Sequence, residues 1–173
     1  ETQLPSNLPT LPKLKEKRQM SWNFENAAPV IGTITEGNAW NGERMLYSNI
    51  AMNRIMSYDP NSGLVETWQE NTEGTNGLNF DSEGRLFGCS GRGRKIVRFD
   101  PNGEMVTIAD RLEGRRINSP NDLAITPSGS IYFSDRVGDV DPDVGINHSS
   151  IISAGPQDDG TYKTVRRTFD RAD

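Results

Sequence analysis

The chain repeats itself, and that repeat limits its possible folds more than any other feature. From residue 36 onward three stretches share one plan: EGNAWNGERMLYSN (36–49), NGLNFDSEGRLFGC (76–89) and NDLAITPSGSIYFSD (121–135). Each opens on a polar pair, passes through three apolar-rich residues, turns at a Gly and ends in a β run. Leu46, Leu86 and Ile131 align at spacings of 40 and 45 residues, as do Tyr47, Phe87 and Tyr132. A second element recurs as RIMSYDPNSGLVETW (54–68) and KIVRFDPNGEMVTIA (95–109), with Asp59 and Asp100 41 residues apart. A weaker third copy reads SIISAGPQDDGTYKTV (150–165).

Each unit has the chemistry of short strands joined by turns. DPNSG and DPNG are hairpin connections, with Pro at an early turn position and Gly at the positive-φ place. Flanking runs such as Ile96-Val97-Arg98-Phe99 are β-branched and aromatic. No useful 3.6-residue periodicity appears. The 17 Gly and 10 Pro are scattered, which indicates tight turns rather than disorder. A period of 40 to 45 residues with about four strands per unit is that of β-propeller blades. Residues 36–173 hold about three such units, whereas closed propellers carry four to eight blades. The expected architecture is therefore all-β and part of a propeller, with a sandwich or an open stack as the alternative. Residues 1–30, with LPSNLPTLPKLKEKRQ, show no strand pattern and are expected to form an extended arm or a tail beside a domain over 31–173.

Charge and composition exclude several function classes. With 19 Lys+Arg against 24 Asp+Glu the formal net charge is −5, which disfavours a general nucleic-acid binder. The basic stretch GCSGRGRKIVR (88–98) is expected to be a turn between two strands, since it lacks the ending of a phosphate-binding loop. No apolar run approaches the roughly 18 to 20 residues of a membrane span. The lone Cys89 excludes an intramolecular disulfide and a cysteine-built zinc site, and its apolar neighbours point to packing. The compartment stays open: cytoplasmic or, after removal of a signal peptide, periplasmic or secreted.

The repeat register places Glu36, Asn76 and Asn121 at one position of three successive units. In a propeller that position lies at the mouth of the central channel. Carboxylate and amide oxygens are ligands for a hard cation such as Ca²⁺ or Mg²⁺. Turn capping accounts for the same residue types. In RRINSPND (115–122) Asn121 is expected to face the channel, while Ser119 and Asp122 hold the turn that aims it.

TEGNAW (35–40), TNGLNFDSEGRLFGC (75–89), RKIVRFDPNG (94–103) and above all ADRLEGRRINSPNDLAITPSGSIYFSD (109–135) resemble the senescence-marker-protein/gluconolactonase/luciferin-regenerating-enzyme-like family of six-bladed propellers. The resemblance covers roughly residues 33–170 and implies a truncated six-bladed type with about three blades present. Members bind one divalent cation at the channel mouth, and many hydrolyse sugar-acid lactones; relatives cleave other lactones or organophosphates. The resemblance implies that Glu36, matching the Glu of the family's EG-x-x-W motif, is a metal ligand. Asn121, matching the first Asn of PND, is implied as a ligand or substrate contact, and Asn76 as a further mouth residue. The implied cation is Ca²⁺, with Mg²⁺ or Zn²⁺ as alternatives, and the implied partner is a small lactone. No nucleic-acid or membrane partner is expected. Two further family ligands, one of them the usual general-base Asp, are expected beyond Asp173, so the chain alone is expected to be weakly active or inactive. A non-enzymatic binding propeller, or a decayed family member, is the rival reading.

Smaller signals complete the expectations. Arg115 and Arg116 precede the asparagine motif, and Arg116 is a candidate substrate contact. His148, the one histidine, is expected in a solvated loop within the sequon Asn147-His148-Ser149. GDVDPDVG (138–145) spaces three aspartates like an EF-hand start, but Val144 and Ser150 occupy the positions that need Gly and Glu. It is read as an acidic loop near the mouth.

Overall fold

A computed structural model of the chain describes residues 22–27, 34–137, 146 and 148–169. Among the described residues there is no helix, and hence none long and apolar enough to cross a membrane. The acidic loop at 138–145, Asn147 and all of the N-terminal arm except 22–27 lie outside the described residues. Within 22–27 the chain forms no strand, and Trp22 and Phe24 are exposed.

Three four-stranded antiparallel sheets follow one another along the sequence, each a meander whose spatial order is its chain order. The first contains β1 (Thr35–Trp40), β2 (Met45–Asn49), β3 (Arg54–Tyr58) and β4 (Val65–Glu70). The second contains β5 (Thr75–Phe80), β6 (Leu86–Ser90), β7 (Lys95–Phe99) and β8 (Met105–Ala109). After the short strands β9 (Arg111–Leu112) and β10 (Arg115–Arg116) comes the third sheet: β11 (Ser119–Ile125), β12 (Ile131–Arg136), β13 (Ser150–Pro156) and β14 (Tyr162–Phe169). The first strands of the sheets pack in series, β1 on β5 and β5 on β11. These are three consecutive propeller blades, the architecture that the repeat implies.

The turns form as their residues require. In the β3–β4 connection the Asp59 carboxylate accepts the Asn61 N–H at 2.8 Å and the Ser62 hydroxyl at 2.8 Å, and Gly63 takes φ 72°. The matching β7–β8 turn puts Gly103 at φ 85°. The weak third copy is also realised, as β13 and β14 joined through Gln157 and Gly160.

Two details differ from the sequence reading. In the first blade Trp40 pairs with Met45, whereas Phe80 pairs with Leu86 and Ile125 with Ile131. Met45, not Leu46, is therefore the counterpart of Leu86 and Ile131, because the first turn, 41–44, is one residue shorter than 81–85 and 126–130. The second difference explains why the last two repeats are 45 rather than 40 residues apart. The β9–β10 hairpin is an insertion between blades, with Glu113 and Gly114 at positive φ in its turn. It drives Leu112 into the core, and Ile117 follows it there.

Apolar faces meet at two seams. Between the first and second blades lie Ala39, Leu46 and Ile55 against Leu78, Leu86, Val97 and Phe99. Between the second and third, Phe87, Cys89 and Ile96 meet Leu123, Ile131, Phe133, Ile152 and Ala154. Strand β12 shows how the pattern arises, with Ile131, Phe133 and Asp135 buried while Tyr132 and Arg136 are exposed. Cys89 is fully buried, and burial pushes its thiol pKa well up, so it packs as expected.

Candidate functional site

The innermost strand of every blade breaks its ladder near its start, one residue later in the first blade than in the other two. The register shifts by one residue between Glu36 and Ala39 in β1, between Thr75 and Leu78 in β5, and between Pro120 and Leu123 in β11. Each shift is a bulge, which bends the strand and re-aims the side chains beside it. Glu36, Asn76 and Asn121 each stand one residue after the equivalent ladder positions Thr35, Thr75 and Pro120. The repeat spacing that singled them out therefore brings all three beside a bulge: Asn76 and Asn121 lie inside theirs, whereas Glu36 pairs with Ser48 just before its own.

Glycine lets these bulges nest. A Cβ on Gly37 would lie 2.0 Å from the Asn76 carbonyl oxygen, and Gly37 has φ +59°. A Cβ on Gly77 would lie 2.7 Å from the Asp122 Cα and 2.8 Å from the Asn121 carbonyl oxygen. Without side chains at these two points, the inner strands approach backbone to backbone.

Glu36, Asn76 and Asn121 consequently line one hollow of about 370 Å³, together with Ser119, Arg92 and Arg136. Asn76 Nδ2 donates to Asn121 Oδ1 at 2.8 Å, and the Ser48 hydroxyl donates to the Asn76 carbonyl. Asn121 and Arg136 also line an adjoining hollow of about 420 Å³ on the open side of the third blade. Arg116 does not line the first hollow: its Nη2 donates to the Gly93 carbonyl at 2.8 Å.

A buried carboxylate anchors the approach to Asn121. Asp135 is 1% exposed, and both its oxygens accept the Asn118 N–H at 2.9 Å. The Ser119 N–H also bonds this carboxylate. Burial raises the Asp135 pKa to about 6, while the two backbone donors and the Arg94 charge pull it down. Asn118, 1% exposed, in turn donates through Nδ2 to the His148 carbonyl at 3.2 Å. The Asp122 carboxylate accepts the Leu123 N–H at 2.9 Å, and the Asp122 N–H donates to the Ser134 hydroxyl at 3.2 Å. The stretch around Asn121 is thus held by Asn118 and Asp135 together with the Ser119 and Asp122 expected from sequence. His148 is half-buried rather than solvated.

The mouth-facing donors are oxygens: one carboxylate and two amides. That set suits a hard cation in kind, whereas zinc prefers nitrogen and sulfur. Among the described residues no three His, Cys, Asp or Glu side chains cluster, so any such cation would complete its shell with further oxygens.

Residues 34–167 match the SMP-30/Gluconolactonase/LRE-like region. The chain belongs to this family. A gluconolactonase of Zymomonas mobilis is 28% identical over 58% of this chain and 33% of its own length. Among solved structures, a gluconolactonase from Xanthomonas campestris superposes with a TM-score of 0.69 at 30% identity, covering 80% of this chain and 48% of that one. A putative gluconolactonase gives 0.65 at 29% identity, over 79% and 49% of the two chains. Virginiamycin B lyase from Staphylococcus aureus, at 15% identity and a TM-score of 0.54, shares the fold alone. The chain spans about half the length of the solved gluconolactonases and one third of the curated one.

Three residues of this family member's mouth escape a reading by repeats. Arg92, Arg136 and Asp135 lie at or just past the ends of β6 and β12. An antiparallel partner ends where its neighbour begins, so the last residues of each second strand reach the same mouth as the first residues of the inner one. That pairing is the signal that could have found them.

Proposed function

We propose that this chain carries one half of a lactonase site, in which Glu36 and Asn121 hold a divalent cation and Asn76 and Asn121 contact a sugar-acid lactone. The observation that supports this most is the convergence of Glu36, Asn76 and Asn121 on one hollow, each beside a bulge of its inner strand. Ca²⁺ fits the all-oxygen donor set first and Mg²⁺ second. When bound, such a cation supplies Lewis acidity toward a carbonyl oxygen on which negative charge develops.

The chain's own residues do the positioning. Asn76 spends one amide hydrogen on Asn121 Oδ1, which fixes the two amides relative to each other. Asp135, through the Asn118 and Ser119 N–H groups, holds the strand that presents Asn121. Glu36 is the carboxylate among the described residues of this hollow, and as a cation ligand it is not available as a base. Among the described residues of this hollow no further carboxylate is left to serve as general base, so in this reading the chain by itself turns over lactone slowly or not at all.

Calorimetric titration of the chain with Ca²⁺, alongside hydrolysis of D-glucono-1,5-lactone followed by acid release, tests the proposal. Weak Ca²⁺ binding that Glu36→Gln abolishes is expected. Ca²⁺ affinity unchanged in both Glu36→Gln and Asn121→Ala would remove these residues from the site.

A further inference from the structure

Among the described residues, the lining of the hollow runs against the sign of the whole chain. The protein carries a formal charge of −5, yet two described guanidiniums, Arg92 and Arg136, line the hollow with one described carboxylate, Glu36. They flank it from different blades. Arg92 sits in the β6–β7 turn, and Arg136 ends β12, opposite Ser119 in the ladder.

Arg92 is held in place. A Cβ on Gly74 would meet Arg92 Cγ at 2.7 Å and Cδ at 3.0 Å, so the arginine stem lies across a backbone that has no side chain there. Its Nη2 donates to the Ile50 carbonyl of the first blade at 3.4 Å, spanning the seam. Among the described residues, several other basic side chains are neutralised locally, whereas Arg115, Arg116, Lys163 and Arg167, which lie outside this hollow, are not. Lys95 pairs with Glu73 at 3.0 Å, Arg98 with Asp100 at 2.5 Å, Arg85 with Asp81 at 2.7 Å and Arg44 with Glu66 at 2.9 Å. Among the described residues, neither Arg92 nor Arg136 has such a carboxylate.

A planar guanidinium is a fork for carboxylate or phosphate oxygens. Two of them at a concave mouth also raise the local concentration of anions and speed their arrival. A neutral lactone would offer the two guanidiniums hydroxyl and carbonyl oxygens but no charge to complement theirs. We infer that the hollow takes a sugar-acid lactone bearing a second acidic group, carboxylate or phosphate, which Arg92 and Arg136 bind while Asn76 and Asn121 face the ring. This rests on the lactone-site reading above and names its substrate class.

The test uses stable sugar acids and the chain as it stands. Calorimetry compares D-glucarate and 6-phosphogluconate, each with two acidic groups, with D-gluconate, which has one, and D-glucitol, which has none. The two double acids are expected to bind about tenfold more tightly than gluconate, the scale of one charge-assisted hydrogen bond. Arg92→Gln and Arg136→Gln should each erase most of that preference, and added salt should shrink it. Arg115→Gln, an exposed position away from the hollow, should not. Both target side chains are exposed, so melting curves should show intact folds. Whichever double acid loses more affinity in the variants identifies carboxylate or phosphate as the second group. Gluconate binding as tightly as both double acids, or a preference that survives the double variant, overturns this inference and leaves the lactone site standing. Absence of binding by all three acids overturns both.

Discussion

Asp135 carries a pH dependence that can be isolated. Its pKa rises from 3.8 to about 6 chiefly because burial penalises the charged form. A carboxyl whose folded pKa is raised stabilises the fold most when protonated, so its contribution is complete below pH ~4 and is lost as pH climbs to about 6. At about 1.4 kcal/mol per unit the span is on the order of 2–3 kcal/mol. Asp59, Asp81, Asp100 and Asp159 are lowered and act in the opposite sense, losing stability as the medium becomes acid. The informative quantity is therefore a difference: between pH 4 and 6.5, Asp135→Asn is expected to gain stability relative to the parent. Thermal melts of both proteins across that range measure it, and parallel curves would assign the pH dependence elsewhere. Asn121 was legible at this scale because its register repeats. Asp135 was not, because an acidic residue at a strand end gives no sign that it is buried.

Strand bulges, not whole strands, build the mouth, and glycines mark how closely they nest. Gly37 and Gly84 both have positive φ, +59° and +77°. Alanine at either meets backbone strain of about 1 kcal/mol. Only at Gly37 would the new Cβ also run into a backbone carbonyl, at 2.0 Å, whereas nothing lies within 4 Å at Gly84. A carbonyl cannot rotate aside, so overpacking adds about 1–3 kcal/mol. Urea unfolding should show Gly37→Ala losing clearly more stability than Gly84→Ala, and equal losses would mean that the inner strands tolerate separation. In the sequence both glycines look like turn glycines. The β9–β10 insertion was equally unreadable: RLEGRR has hairpin residues, but only the packing of Leu112 and Ile117 shows that it is wedged between blades.

Over the whole molecule, burial falls from the seams toward the outer strands. β6 is buried along its entire length, while β4 is largely exposed. Amide exchange should follow that gradient, with β6 amides the slowest and β4 amides among the fastest. Phe87, 1% exposed at the second seam, supports two blades at once. Phe87→Ala should cost about 3–5 kcal/mol by chemical denaturation, and a much smaller loss would indicate that the blades are stabilised separately.

The blade repeat, the all-β class, the hairpin turns and the shared register of Glu36, Asn76 and Asn121 were determined by sequence alone. Strand alternation and turn chemistry are local, and the repeat multiplies a local signal. Tertiary structure decided the rest: the one-residue register difference of the first blade, the glycine nesting, the buried Asp135 anchor, and the two arginines that line the mouth. Each depends on which strand ends lie side by side, and pairing between residues far apart in the chain leaves no local pattern to read.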